Sequence, residues 1–170
     1  MQERCSACRA PRILRRPLPR LRPTRLTLHD FLPYRLSLAA NAVSALLAEA
    51  YEGVGLRPQE WRVLAILGEG GEALTQQEVV GRTKMDKVSV SRAAQALEAR
   101  GWLRRSPDRE DGRSLRIRLT AAGKRGYESL VPLVLEREER LVAGLSPREI
   151  SELRGLLARL EAAAEGSRSR

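Results

Sequence analysis

The sequence predicts a mainly α fold with a small β wing, and three observations predict it. From Asp30 onward, apolar residues recur at helical spacing in stretches separated by helix-ending glycines. Two capping boxes, Thr75-Gln76-Gln77-Glu78 and Ser146-Pro147-Arg148-Glu149, mark helix starts. One period-two segment, Leu115 to Leu119, follows Asp111-Gly112, a strong two-residue hairpin signal.

Residues 1–26 contain four Pro, eight Arg and one Glu without apolar periodicity, and read as an Arg/Pro-rich disordered tail. They lack the apolar core of a secretory signal. A start codon assigned too far upstream and a basic arm on nucleic acid are both open readings. The first helix, about 30–53, carries Phe31, Leu38, Ala42, Leu46 and Tyr51 at near-helical spacing; Pro33 is tolerated in its first turn, and Gly53 and Gly55 end it. The second, about 58–67, turns Trp61, Leu64, Ala65 and Leu67 inward and is closed by Gly68, Gly70 and Gly71. Thr75 caps a short third helix that ends near Gly81. After Thr83-Lys84-Met85 a fourth helix runs from about Asp86 to Arg100, and Gly101 stops it. Two strands, 102–105 and 114–119, flank the hairpin turn. Thr120 caps a long helix to about Ala143, in which Gly123 and Pro132 are irregular and Pro132 should cause a bend. Ser146 caps the last helix, which carries Ile150, Leu153, Leu156, Leu157 and Leu160 on one stripe; 166–170 read as a disordered end.

The net charge of +10 is unevenly placed. Residues 82–125 hold thirteen Lys/Arg against five Asp/Glu, whereas the chain from residue 27 outside that segment holds ten against fifteen. A solvated surface mixes the signs; a concentrated basic segment is the footprint of a polyanion site. No apolar run approaches the 18 to 20 residues or so of a membrane span, so no membrane partner is expected. Cys5 and Cys8 are the two cysteines, both in the tail, which fits a reducing, cytoplasmic setting; one Cys-x-x-Cys without partner ligands is a weak metal or redox signal. His29 is the single histidine and reads as an exposed residue before a helix, so no metal site is expected.

Two short helices joined by a tight turn and followed by a basic hairpin make a winged helix-turn-helix, spanning about 57–120, whose second helix enters the major groove. On the wheel of that helix Val90, Ala93, Ala94 and Leu97 face the domain. Val88, Arg92 and Gln95 lie opposite, flanked by Ser89 and Ser91. An arginine bonds guanine bidentately, and an apolar side chain meets a thymine methyl. Lys84, Lys87 and Thr83 near this helix start, with Thr75 and Gln76 at the start of the preceding one, suit phosphate oxygens. Taken alone, Arg92 and Gln95 also read as ordinary solvated residues; the adjoining wing turns the reading toward DNA. Arg109, Arg113, Arg116 and Arg118 repel one another unless a polyanion neutralises them. Arg113 can reach into a minor groove, and Asp111 can orient its guanidinium.

The stretch from Leu74 to Gly123 resembles the MarR (multiple antibiotic resistance regulator) family of bacterial transcription factors. Asp111-Gly112-Arg113, followed by Leu119-Thr120-Ala121-Ala122-Gly123, carries the resemblance; Ser89, Ser91, Arg92 and the Gly101 turn add to it. It covers about 28–163 and implies a homodimer whose first and last two helices, about 30–53 and 121–165, intertwine. It implies one winged domain per subunit, a palindromic operator and a pocket for a small anionic or aromatic effector. Leu153, Leu156, Leu157 and Leu160 are the expected dimer contacts, because that stripe is too long to bury on so small a domain. Tyr34, Tyr51 and Trp61 are aromatic candidates for the pocket, or core residues. The cysteine that some members use as an oxidant sensor, near the start of the first long helix, has no counterpart here. An enzyme is not expected: the chain has no nucleophile–base pair, phosphate-cradling Gly loop or metal cluster. The competing reading is a sequence-neutral, basic nucleic-acid-binding protein.

Overall fold

The computed structural model describes residues 25–107 and 115–168. A 3-10 turn, Leu28–Asp30, leads into α1 (Leu32–Glu52), with Pro33 in its first turn. Then follow α2 (Pro58–Gly70), β1 (Leu74–Thr75), α3 (Gln76–Thr83), α4 (Lys87–Ala99), β2 (Leu103–Pro107), β3 (Leu115–Leu119), α5 (Ala121–Val142) and α6 (Pro147–Arg168). The sheet is antiparallel in the order β1-β3-β2.

The core lies where α2, α3 and α4 meet the sheet. Val63, Leu64 and Leu67 of α2 pack with Val79 of α3, with Val90, Ala93, Ala94 and Leu97 of α4, and with Leu74, Leu103 and Ile117 of the strands. Aliphatic side chains dominate it because the sequence has few aromatics. The exception is a stack at the junction of α1, α2 and α5. The Trp61 ring lies 5.6 Å from that of Tyr51 and 6.2 Å from that of Tyr127, near-parallel to both. Burial pushes the Tyr51 hydroxyl above the usual tyrosine range.

Several boundaries differ from the sequence reading, each for a local reason. Gly68 and Gly70 do not close α2; they lie inside it, and Gly71 at φ +65° makes the stop. Gly68 is a packing glycine, since a Cβ there would lie 2.6 Å from the Tyr127 ring. Gly81 does not end α3, which runs on to Thr83 and stops at Lys84 in a left-handed conformation. β1 escapes the sequence reading because it is two residues long and its Thr75 doubles as the α3 cap. β2 starts and ends later than expected, at Leu103 and Pro107. Of the apolar row Phe31, Leu38, Ala42, Leu46 and Tyr51, the first three are exposed in the single chain and Tyr51 is the one fully buried. The segment 166–170, expected to be unstructured, continues α6 through Arg168. Pro132 lies inside an unbroken α5.

The caps were legible. Thr75 donates its N–H to Glu78 Oε2 at 2.7 Å and its hydroxyl to the same atom at 2.9 Å, and accepts the Glu78 N–H at 3.2 Å. Ser146 and Glu149 form the same box at α6. At the end of α4, Trp102 N–H bonds Leu97 C=O at 2.9 Å and Gly101 N–H bonds Glu98 C=O at 2.8 Å, with Gly101 at φ +70°. This is a Schellman stop that only glycine adopts without cost.

Thr75→Ala should cost about 1 kcal/mol, the worth of a helix cap, read as a shift of the urea midpoint. The Thr75 N–H and hydroxyl hold the Glu78 carboxyl below the usual glutamate range. A carboxyl depressed in the folded state stabilises it above the unfolded value of about 4.3, and that contribution is lost as pH falls through the lower folded value. The gap between wild type and Thr75→Ala should therefore narrow once the pH drops below about 4.

Candidate nucleic-acid interface

The α3–α4 pair is built around one turn. Thr83 donates its hydroxyl to Val79 C=O at 2.7 Å and accepts Met85 N–H at 3.3 Å, which fixes the chain as it leaves α3. Asp86 then caps α4, accepting Ser89 N–H at 2.8 Å and the Ser89 hydroxyl at 2.5 Å. The Ser89 hydroxyl bond, then its N–H, holds the Asp86 carboxyl below the usual aspartate range. Gln76 reaches from the start of α3 to Lys87 C=O at 3.4 Å.

These anchors present α4 with two distinct faces. Val90, Ala93, Ala94 and Leu97 are buried. Val88, 57% exposed, Arg92 and Gln95 face solvent together, with Ser91 half-buried beside them. Lys84 and Lys87 are exposed at the entry to the helix. The structure thus brings Val88, Arg92 and Gln95 together on the outer face of α4, with Lys84 and Lys87 exposed at its entry. Thr75, Thr83 and Ser89 have their hydroxyls engaged in caps and turns.

The sheet carries a second exposed basic pair. Arg104 and Arg118 stand directly opposite each other across β2 and β3, and both are exposed. Like charges in directly opposed cross-strand positions disfavour the sheet unless an anion joins them. Arg104 was not among the sequence candidates; the inward Leu103 and period-two alternation were the signal that would have placed it outward. Arg116 is half-buried and donates Nη1 to Ala73 C=O at 3.0 Å, so part of its guanidinium braces β1. The remaining wing candidates Arg109, Asp111 and Arg113, and the Asp111-Gly112 turn, lie outside the described residues. So do Cys5, Cys8 and most of the basic tail.

Arg100 ties the interface to the body of the domain. It donates Nη1 to Val54 C=O at 2.8 Å and Nη2 to Gly55 C=O, clamping the α1–α2 loop against the end of α4. A polar cleft of about 490 Å³ opens between this clamp and the start of α2, lined by Arg57, Glu60, Ser89, Arg92 and Arg100 among others. The aromatic effector candidates sit elsewhere: Tyr51 is buried, Trp61 is half-buried in the stack, and Tyr34 is half-buried on α1. Leu153, Leu156, Leu157 and Leu160 all lie exposed on α6. Among the described residues no group of three or more His, Cys, Asp or Glu side chains is arranged to hold a metal ion. None of the described helices is long and apolar enough to cross a membrane.

This geometry has counterparts among known proteins. The MarR family model matches residues 54–114, which run from the loop before α2 to the residue before β3. The HTH-type transcriptional regulator YwoH of Bacillus subtilis is 30% identical over 110 residues, 65% of this chain and 79% of that protein. A probable transcriptional regulator of Pseudomonas aeruginosa is 36% identical and superposes with a TM-score of 0.71, over 79% of this chain and 99% of that one. The regulator BpsR of Bordetella bronchiseptica, whose DNA binding is regulated by 6-hydroxynicotinic acid, shares the fold at 23% identity and a TM-score of 0.74, over 81% of this chain and 97% of that one. With its helix-turn-helix, its three-stranded wing sheet and these relatives, the chain belongs to the MarR family of DNA-binding transcriptional regulators.

Proposed function

We propose that the chain acts in the cytoplasm as a homodimer that binds a palindromic operator in double-stranded DNA and is released or retuned by a small anionic or aromatic effector. The observation that carries the DNA half is the division of α4 into a buried aliphatic face and an exposed face bearing Val88, Arg92 and Gln95. On the sheet the exposed Arg104–Arg118 pair supplies cations for phosphate. The exposed leucines of α6 support self-association, since a row of apolar side chains in water marks an interaction face. The effector half is supported by BpsR, whose DNA binding responds to a small aromatic acid. It is supported also by the arginine-lined cleft that shares Arg92 with the DNA face.

Selection of bound fragments from genomic DNA, in excess of competing bulk DNA, tests this reading. A dimeric regulator retains a few fragments that share an inverted repeat, with half-sites about one helical turn apart. Even recovery across the genome would instead favour a sequence-neutral coating protein.

A further inference from the structure

Lys84, in the turn between α3 and α4, has φ +55°, and among the described residues it alone has a positive φ without being glycine. A lysine in the left-handed region is held there at a backbone cost that glycine would avoid. Its ammonium meets the far end of the chain: Nζ lies 2.8 Å from Oε1 of Glu165, in the last turns of α6. The Glu165 hydrogen bond, joined by the field of Glu161 one turn earlier, holds the Lys84 ammonium above the usual lysine range. At its other end α6 is tied to α5 by Arg154 and Glu138 at 3.5 Å, and its leucines remain exposed. A helix that packs little against its own chain therefore places a carboxylate on the turn that presents the recognition helix.

We propose that Glu165, backed by Glu161, occupies Lys84 in the DNA-free protein as an internal stand-in for a DNA phosphate, so that the end of α6 competes with DNA for the recognition turn. The proposal rests on the reading of the chain as a DNA-binding protein. Carboxylate and phosphate are both oxyanions that accept from an ammonium at the same distance. A phosphate approaching Lys84 also meets two carboxylates, so the pair must open or DNA binds less tightly. The contact is solvent-exposed on both sides, at 73% and 62%, which makes it weak enough to exchange and sensitive to salt. When DNA displaces the carboxylates they take up cations, which offsets part of the counterion release from DNA. Freeing Lys84 should thus steepen the salt dependence of binding.

The test uses the full chain and a DNA fragment recovered by the genomic selection. E161Q/E165Q should bind that fragment about two- to fivefold tighter per subunit at low salt, the scale of one exposed ion pair, with a steeper log–log salt slope. The charge-matched E139Q/E152Q should bind like wild type. In a K84M background the gain from E161Q/E165Q should vanish. A gain that persists in K84M, an equal gain from E139Q/E152Q, or no gain at all overturns the clamp. A DNA-free readout separates the contact from the function: in NMR titration the Lys84 ammonium should lose its proton at lower pH in E165Q and not in E152Q. An unchanged titration removes the contact and the proposal with it. A wild-type chain that selects no fragment overturns the regulator reading, and with it the competition against DNA, even where the NMR shift shows the contact itself.

Discussion

Gly123→Ala is expected to destabilise the protein by about 3 kcal/mol, the upper end for an overpacked core position. A Cβ at this site would lie 2.0 Å from the Trp102 carbonyl oxygen, 2.8 Å from its carbonyl carbon and 3.1 Å from its Cα. These are backbone atoms, and they are pinned. Trp102 donates its N–H to Leu97 at 2.9 Å and accepts the Thr120 N–H at 3.0 Å. Moving Trp102 would break the end of α4 and the start of α5 together. Its indole is held as well, since a Cβ at Gly126 would sit 2.8 Å from that ring. Against a total stability of roughly 5–15 kcal/mol, such a loss shows plainly in the urea midpoint. Gly81→Ala is the matching control: its Cβ would meet nothing within 4 Å, so α3 should gain a few tenths to about 1 kcal/mol from better helix propensity. A Gly123→Ala chain as stable as wild type would mean that the wing and α5 separate freely.

Leu156→Asp with Leu160→Asp is expected to turn a dimer into a folded monomer. Both side chains are well exposed in the single chain, 52% and 39%, so the substitutions remove no contact with the core around α2 and α4. They place two carboxylates in a face that would otherwise be apolar, and a dimer would have to bury four. Sedimentation velocity should show half the mass with helical content retained. Operator affinity should collapse, because each subunit would hold one half-site alone. A dimer that survives the double substitution would put the association surface elsewhere.

Local rules made most of this fold legible. The Thr75 and Ser146 boxes, the Gly101 stop and the split wheel of α4 are patterns of four to thirteen residues, and each stands where the sequence puts it. What was hidden depends on distant partners. Gly68 and Gly123 read as breaks or irregularities, yet they are approach points for Tyr127 and the Trp102 backbone, which no local pattern announces. β1 was invisible because its two residues are a strand only by virtue of pairing Leu74 with Ile117 and Thr75 with Arg116. Arg116 read as a free wing cation, yet in part it braces Ala73 across that same pairing. The row Phe31, Leu38, Ala42, at the start of α1 and along it, has near-helical spacing whether it faces its own domain or a second chain, so its exposure here could not be read from periodicity.

The assignment of α4 to base reading is tested most directly by Arg92→Ala, measured on a panel of operator variants in which each base pair is changed in turn. The side chain is exposed on the outer face of α4, opposite the buried Val90, Ala94 and Leu97 that fix the helix, so folding should be unaffected. The expected result is a loss of about 1–3 kcal/mol on the preferred operator, with preference relaxed at one base pair in each half-site. Uniform weakening at every position, with sequence preference intact, would make Arg92 a phosphate contact and contradict that assignment.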